Sequence, residues 1–232
     1  MTDIIRHEFD NKESMNVDLC SYIVKDLKEG IEKNGSASLV VSGGSTPRPL
    51  FKKLSTSDLD WSKVTITLAD DRWVGTDHEA SNEKLVRDNL LQNKAAKARF
   101  IGLKTDEKSP FNAEKTCHQQ LSDMPHPFDV VVLGMGLDGH TASMFPCSNE
   151  LQSVVDEESL YVKAVQPTSA PFARMSLTLK SIINAKHLYI QIAGEDKRDV
   201  LDKALSIGDE AEMPIRYVFR TPLRHLHVFW AP

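Results

Sequence analysis

Residues 38–54 read SLVVSGGSTPRPLFKKL, and this stretch decides the fold class. Residues 38–43 form a short apolar run of the kind found in strands that are buried on both faces of a parallel sheet. Glycine, serine, threonine and proline follow, and residues 49–54 then have the apolar spacing of a helix. A strand, a glycine-rich turn and a helix in this order form the repeating unit of α/β proteins.

The same pattern recurs along the chain. Residues 14–33 carry apolar side chains at helical spacing, and Asn34-Gly35 is typical of a helix C-terminus. Further strands are predicted at VTITLAD (64–70), FDVVVLG (128–134), YVKAV (161–165), HLYIQIAG (187–194) and HLHVFWA (225–231). Further helices are predicted at 81–91, 112–121, near SLTLKSIINA (176–185) and at 196–205. Strands that alternate with helices predict an open, mostly parallel sheet with helices on both faces.

Composition narrows the class of protein. The chain has 232 residues, of which 41% are hydrophobic and 26% charged, which suits one domain over residues 1–232. A formal net charge of -5, with scattered basic residues, argues against a nucleic-acid partner. No apolar run approaches the roughly 20 residues that cross a bilayer, and the N-terminus lacks the basic start and apolar core of a secretion signal. Three cysteines without CxxC spacing fit reduced thiols. We therefore expect a cytoplasmic protein that does not act at a membrane, and no obligate protein partner is indicated.

In open α/β sheets ligands bind beyond the carboxyl ends of the strands. The first such end carries Gly43, Gly44, Ser45, Thr46 and Pro47. The glycines permit close backbone approach, Ser45 or Thr46 can cap the next helix, and the proline suits its first turn. A helix start with free N–H groups and hydroxyls binds anions, most often phosphate, although a plain glycine-rich turn fits the same letters. It is not a P-loop, because the GK[ST] ending is absent.

The second strand end carries two carboxylates and an arginine, Asp70, Asp71 and Arg72. If only Asp71 and Arg72 paired at the surface, they would form a weak, solvated salt bridge. A polar sugar site also requires such residues, because a carboxylate such as Asp70 accepts hydrogen bonds from hydroxyls and a guanidinium opposes phosphate or an oxyanion. The neighbouring Trp73 fits either the core or a platform for a sugar ring.

The third strand end reads GMGLDGHTASMFP (134–146) and contains G-x-G-x-x-G, the dinucleotide-binding pattern. We reject that interpretation because Asp138 would place a negative charge beside the pyrophosphate and Pro146 would cut short the helix that the motif should open. The motif also comes late in the chain. The loop instead presents Asp138 and His140 two residues apart, so that the carboxylate can orient the imidazole as a general base near neutral pH. A histidine that is merely satisfied in a tight turn is the alternative.

Two further basic residues, Arg174 and Lys197, lie where we expect a loop to meet a helix. A single arginine or lysine is normally a solvated surface charge. Neither residue is assigned a function from its local sequence.

Taken together, four segments resemble the glucosamine-6-phosphate isomerase/6-phosphogluconolactonase family, and its lactonases in particular. They are SGGSTP (42–47), ADDRWV (69–74) with Asp77, Ser81 and Asn82, GMGLDGHTASMFP (134–146) and RMSLTL (174–179). The resemblance follows chain order from about residue 20 to residue 230. It implies hydrolysis of 6-phospho-D-glucono-1,5-lactone in the oxidative pentose phosphate pathway, on an α/β fold and without a metal or an organic cofactor.

The resemblance also implies roles for single residues. His140 matches the family's catalytic histidine, Asp138 its neighbour, and Arg72 a substrate-binding arginine. The glycines and hydroxyls of SGGSTP, with Arg174 and Lys197, match phosphate contacts. The family usually has D-E-R where this chain has D-D-R, which leaves the role of Asp71 open. It also usually has proline where Gly75 stands.

The residue inventory favours direct attack by water on the lactone. The chain has no GxSxG motif, so a serine acyl-enzyme is not indicated. We expect His140 to remove a proton from the water, and Arg72 with backbone N–H groups to stabilise the oxyanion. Two alternatives remain, an isomerase or deaminase on the same scaffold and a sugar-phosphate sensor without catalysis. A sensor would not need Asp138 and His140 together.

Overall fold

The computed structural model describes residues 4–222 and 226–232. The strands are β1 (Ile4–Glu8), β2 (Ala37–Val41), β3 (Val64–Leu68), β4 (Asp70–Arg72), β5 (Arg99–Ile101), β6 (Phe128–Leu133), β7 (Val162–Val165), β8 (Arg174–Leu177), β9 (Ala185–Ala193) and β10 (Leu226–Ala231). The helices are α1 (Lys12–Asn34), α2 (Arg48–Thr56), α3 (Asn82–Asn89), α4 (Pro110–Ser122), α5 (Leu151–Asp156), α6 (Leu179–Ile183), α7 (Glu195–Leu205) and α8 (Ile215–Arg220). Two short 3-10 helices lie at Trp61–Lys63 and Asn93–Lys97.

Seven strands form one sheet in the order β1-β10-β9-β6-β2-β3-β5, and all neighbours are parallel. Every residue of β2, β3 and β6 is buried, which agrees with their continuous apolar runs. Helices pack around this sheet and connect its parallel strands. The predicted α/β class and the mostly parallel sheet are therefore confirmed.

Helix α1 shows how sequence signals set the element bounds. The Asn11 side chain accepts a hydrogen bond from the Ser14 N–H at 2.9 Å and caps the N-terminus. At the other end Gly35 adopts a left-handed conformation (φ 78°), and its N–H donates to the Ile31 carbonyl. The apolar face between these caps packs on β2, β6 and β10. The predicted helix and its glycine C-terminus are confirmed.

A second, three-stranded antiparallel sheet was not predicted. Its order is β4-β8-β7, with Asp70 paired to Ser176 and Arg72 to Arg174. The predicted strand at 64–70 therefore ends at Leu68, and Asp70 belongs to the other sheet. Arg174 likewise starts a strand and does not lie between a loop and a helix, because pairing with β4 and β7 prevails over the helical pattern expected near 176–185.

One residue connects the two sheets. The Ala69 N–H donates to the Val41 carbonyl of β2 at 2.9 Å, and the Ala69 carbonyl accepts from the Leu177 N–H of β8 at 2.8 Å. The chain thus passes from the large sheet into the small one at the carboxyl end of β3. This passage places the polar side chains of β4 above that end of the large sheet.

The remaining predicted elements are found with shifted bounds. The last strand starts at Leu226, and the predicted His225 lies outside the described residues. Across residues 4–222 and 226–232, no helix is both long and apolar enough to span a membrane.

Candidate active site

A cavity of about 340 Å³ opens at the carboxyl ends of β2, β3, β6 and β9, where the parallel-sheet rule places a ligand. Nine of the ten site residues expected from the sequence line it: Gly43, Gly44, Ser45, Thr46, Asp70, Arg72, His140, Arg174 and Lys197. Asp138 does not line the cavity but is hydrogen-bonded to His140, which does. The volume falls within the range typical of small-molecule sites.

His140 is held by Asp138. The imidazole Nδ1 lies 2.5 Å from Asp138 Oδ1, and the backbone N–H of His140 donates to the same oxygen at 3.1 Å. Burial raises the pKa of Asp138, but the hydrogen bonds and charge of His140 outweigh burial and lower it below its usual range. The carboxylate is therefore ionised and only accepts, so Nδ1 carries the proton and a neutral imidazole has its lone pair on Nε2.

The loop that carries this pair is a compact turn. The Gly136 N–H donates to the His140 carbonyl at 2.8 Å, and the Thr141 hydroxyl donates to the Gly134 carbonyl at 2.8 Å. Gly139 has a φ of 76°, a conformation that glycine adopts without strain. No helix starts directly after the loop, since α5 begins at Leu151. The rejection of the dinucleotide pattern is therefore consistent with the structure.

Arg174 and Asp70 form a buried pair on neighbouring strands. Arg174 NH1 lies 3.5 Å from Asp70 Oδ2, and both side chains are more than nine-tenths buried. The Ser143 hydroxyl donates to the same Asp70 oxygen at 2.5 Å, which ties the histidine loop to β4. Burial lowers the pKa of Arg174, Asp70 opposes this shift, and the charge of Arg72 adds to it.

Arg72 is held by residues around the start of α3. Its NH1 donates to the Ala80 carbonyl at 2.8 Å and to Asn82 Oδ1 at 3.2 Å. Asn82 in turn donates to the Asp70 carbonyl at 2.8 Å. A Cβ added at Gly43 would overlap the Asn82 amide, so the glycine allows the loop after β2 to approach α3 closely.

Asp71 does not line the cavity, and its carboxylate caps the start of α3. Its carboxylate accepts from the backbone N–H groups of Asn82 at 2.6 Å and Glu83 at 3.0 Å, and from that of Arg72 at 2.8 Å. Burial raises the pKa of this carboxyl to about 6, although the three N–H groups oppose the shift. The surface salt bridge considered for Asp71 and Arg72 is wrong, because Asp71 is only 2% exposed and binds backbone.

The loop after β2 differs from the expectation in one respect. Helix α2 begins at Arg48, and neither Ser45 nor Thr46 caps it with its side chain. Pro47 occupies the N-cap position, so both residues lie in the preceding turn, next to the cavity. Gly44 has a φ of 97°, a backbone conformation that favours glycine.

Lys197 reaches the cavity from the first turn of α7. Its ammonium group donates to the Met135 carbonyl at 2.7 Å, beside the histidine loop. Burial lowers the pKa of Lys197, while the carboxylates of Asp196 and Asp138 oppose the shift. Lys197 is therefore a partly desolvated cation at the cavity wall.

Buried donors without partners mark the cavity as a site for an acceptor. Among the described residues, three buried side-chain atoms lack a hydrogen bond, namely Ser42 Oγ, Arg72 Nε and Arg174 Nε. All three belong to cavity-lining residues. Arg72 and Arg174 also lie directly opposite each other in the antiparallel pair, where like charges repel. An anion bound between the two guanidinium groups would offset this repulsion.

Sequence reasoning did not assign several residues of this region. Ser42 and Asn82 line the cavity within the recognised motifs, and Gln191 lines it from β9, where its amide donates to Asn16 Oδ1 at 2.8 Å. A glutamine near the carboxyl end of an apolar strand was the available signal. Trp73 lies outside the cavity, its indole N–H bound to the Glu107 carbonyl, so it is no platform for a sugar there.

The chain resembles a known family over most of its length. Residues 10–230 match the family model described as glucosamine-6-phosphate isomerases/6-phosphogluconolactonase. A 6-phosphogluconolactonase of Rhizobium meliloti is 41% identical over 227 residues, which cover 97% of this chain and 98% of the relative. A 6-phosphogluconolactonase of Pseudomonas aeruginosa is 40% identical and covers 92% of this chain and 89% of its own.

Solved structures share the fold. A 6-phosphogluconolactonase from Shewanella baltica superposes with a TM-score of 0.97 and 44% identity, over 99% of this chain and 98% of the other. A monomeric glucosamine-6-phosphate deaminase superposes with a TM-score of 0.82 at 15% identity, over 98% and 97% of the two chains. At that identity the likeness concerns the fold alone.

Proposed function

Because the chain belongs to the glucosamine-6-phosphate isomerase/6-phosphogluconolactonase family, we propose that it hydrolyses 6-phospho-D-glucono-1,5-lactone to 6-phospho-D-gluconate. This reaction belongs to the oxidative pentose phosphate pathway. Relatives of about 40% identity over nearly the whole chain carry the lactonase name, which favours this branch of the family.

The observation that carries the proposal is the composition of the cavity wall. His140, oriented by Asp138, can take up a proton, and it lies in the same cavity as Arg72, Arg174 and Lys197. A phosphorylated lactone needs both kinds of group, a base for water and cations for the phosphate. The unpartnered donors of the two arginines suit an anionic ligand.

His140 would act as the general base. Its Nε2 removes a proton from water, and the water oxygen attacks the lactone carbonyl to give a tetrahedral oxyanion. Arg72 and nearby backbone N–H groups stabilise this oxyanion, and a single such donor contributes about 10²–10³-fold. The bond between the carbonyl carbon and the ring oxygen then breaks, and the imidazolium returns its proton to that oxygen.

The other side chains would bind the substrate. Arg174, Lys197 and the loop formed by Gly43, Gly44, Ser45 and Thr46 hold the phosphate, and Asp70 accepts from a sugar hydroxyl. The phosphate is remote from the carbonyl, so its binding energy serves to orient the ring and lowers the entropic barrier.

The test is acid release from freshly prepared 6-phosphogluconolactone. The native protein should hydrolyse it, and His140→Ala should lower kcat by about 10²–10⁴-fold while the melting temperature stays close to native. His78→Ala is the control, because His78 is also a loop histidine but lies outside the cavity. Native activity in His140→Ala would rule out the general base.

An assay of the same enzyme preparation for ammonia release distinguishes a lactonase from a deaminase. In the deaminase branch the histidine loop continues to a glutamate that assists ring opening, and in this chain Phe145 stands at that place. A phenyl ring cannot exchange protons with His140. We therefore expect no ammonia from glucosamine 6-phosphate at an enzyme concentration that hydrolyses the lactone rapidly. Ammonia release at a comparable rate would reverse the assignment.

A further inference from the structure

Phe145 packs against two cavity residues at once. Its ring is nearly parallel to the His140 imidazole, with a centroid distance of 4.2 Å and an interplanar angle of 25°. The Arg174 guanidinium lies over the same ring, with Cζ 5.0 Å from the centroid. Phe145 is only 3% exposed and does not line the cavity itself.

The backbone after His140 brings the ring to this place. Thr141 and Met144 form an isolated bridge, and Ala142 between them has a φ of 49°, which is uncommon outside glycine. The Ser143 N–H donates to the Ser176 hydroxyl of β8 at 3.1 Å, and its own hydroxyl binds Asp70. The turn is thus anchored to the small sheet and directs Phe145 back onto the imidazole.

The imidazole is then restrained on two sides. Asp138 holds the Nδ1 edge through the 2.5 Å hydrogen bond, which on its own still lets the ring tilt about that contact. The parallel phenyl ring limits this tilt. The face of an aromatic ring also attracts a cation, so the ring stabilises both the imidazolium that forms during turnover and the Arg174 guanidinium.

We propose that Phe145 is a positioning residue that fixes the orientation of His140 for attack by water and holds Arg174 at the phosphate. This inference rests on the proposed function, since it assumes that His140 activates water. The ring touches neither the substrate nor the water and acts only through its two neighbours.

The test replaces the ring and keeps an apolar side chain. Phe145→Leu should lower kcat by about 10- to 100-fold, because a shift of the base by about 1 Å has effects of this size. The decrease should affect both 6-phosphogluconolactone and unphosphorylated gluconolactone, because both need the base. KM should rise for the phosphorylated lactone only, because Arg174 loses its support. Phe145→Tyr keeps the aromatic face and should restore most of kcat.

A spectroscopic signature does not depend on activity. A stacked phenyl ring shields the protons of the imidazole that it covers. In the NMR spectrum the His140 ring-proton resonances should move downfield in Phe145→Leu, toward those of an unstacked histidine, and should stay close to native in Phe145→Tyr. This measurement reports the stacking even if the protein acts on another substrate.

Phe128→Leu is the matched control. Phe128 is equally buried and also packs on a histidine, His126, at a centroid distance of 4.6 Å. It lies at the first residue of β6, at the amino end of the sheet and away from the cavity. The control should lose thermal stability as Phe145→Leu does but keep native kcat and KM.

Two results would overturn the positioning role. One is a native kcat in Phe145→Leu although the His140 resonances have moved, which would show that stacking does not matter to turnover. The other is the same loss of kcat in Phe128→Leu, which would show a general effect of stability. Failure of the proposed function itself would look different, since the native protein would then not hydrolyse the lactone.

Discussion

Asp71 contributes to the fold and does not contact the cavity. Its carboxylate binds the first N–H groups of α3, and the shorter aspartate side chain reaches them at 2.6 and 3.0 Å where the family usually has glutamate. The question that the sequence left open therefore has a structural answer. Asp71 positions Asn82, and Asn82 in turn holds Arg72.

The pKa of Asp71 gives the first prediction. Burial raises this pKa from 3.8 to about 6, so the folded protein binds the proton more tightly than the unfolded chain. The resulting stabilisation is complete below about pH 4 and is lost as the pH rises through 6. At about 1.4 kcal/mol per pKa unit it amounts to roughly 3 kcal/mol.

Urea unfolding of the native protein and of Asp71→Asn measures this effect. The free energy of unfolding of the native protein, relative to the variant, should decrease by roughly 3 kcal/mol between about pH 4 and pH 7. The comparison cancels the titration of all other groups. Parallel pH profiles for the two proteins would show that Asp71 does not titrate in this range.

Lys197 gives a prediction about the phosphate. Lys197→Met keeps most of the apolar stem and removes the charge, which in a charge-assisted hydrogen bond contributes about 1.5–3 kcal/mol. The ratio of kcat/KM for the phosphorylated lactone to that for the plain lactone should therefore fall by about 10- to 100-fold. Lys203→Met, exposed on the same helix, should leave the ratio unchanged. An unchanged ratio in Lys197→Met would place the phosphate elsewhere.

The contact between the loop after β2 and the start of α3 gives a prediction for these elements. In Gly43→Ala the new methyl group would overlap Asn82, which is 2% exposed and bound to Asp70 and Arg72. The asparagine cannot move without releasing Arg72. We expect kcat/KM to fall by 10-fold or more, because a loss of about 1.4 kcal/mol of transition-state stabilisation already lowers it 10-fold. The circular dichroism spectrum should remain native.

Gly75→Ala is the control for that variant. There a methyl group would meet only the exposed Asp77 carboxylate, which can rotate away. Native activity in both variants would mean that the contact between Gly43 and Asn82 does not position Arg72.

The elements of the large sheet could be predicted because their signals are local. β2, β3 and β6 are apolar throughout, and α1 has its own caps. The small sheet could not be predicted this way. β4 and β8 have three and four residues, too few to show a periodicity, and their pairing joins residues about a hundred positions apart.

The residues of the site likewise fall into those that have a local sequence signal and those that do not. Asp138 and His140 are two positions apart in one turn, so their hydrogen bond could be expected from the sequence. Arg174 could be assigned only through the family resemblance, because its approach to Asp70 depends on the pairing of β4 with β8. The stacking of Phe145 on His140 depends on the positive φ of Ala142, for which the sequence gives no signal.

For the whole molecule, we propose that the two sheets form one domain. The histidine loop binds both β4 and β8 through Ser143, and α4 packs on β7 and β8 of the small sheet. The cavity takes its walls from both sheets, so its shape depends on their relative position.

The hydrogen bonds of Ala69 have a consequence for the kinetics of binding. A residue that is bonded on one side to β2 and on the other to β8 cannot follow one sheet and leave the other. A rigid-body opening of the cavity would have to break one of these bonds, so we expect a ligand to enter a preformed site without a hinge closure. After rapid mixing with 6-phosphogluconate, the observed association rate should then rise linearly with ligand concentration. A plateau at high concentration would reveal a slow conformational step. Without that step, encounter and orientation in solution set the speed of capture, and the cations at the cavity wall make that speed decrease as salt is added.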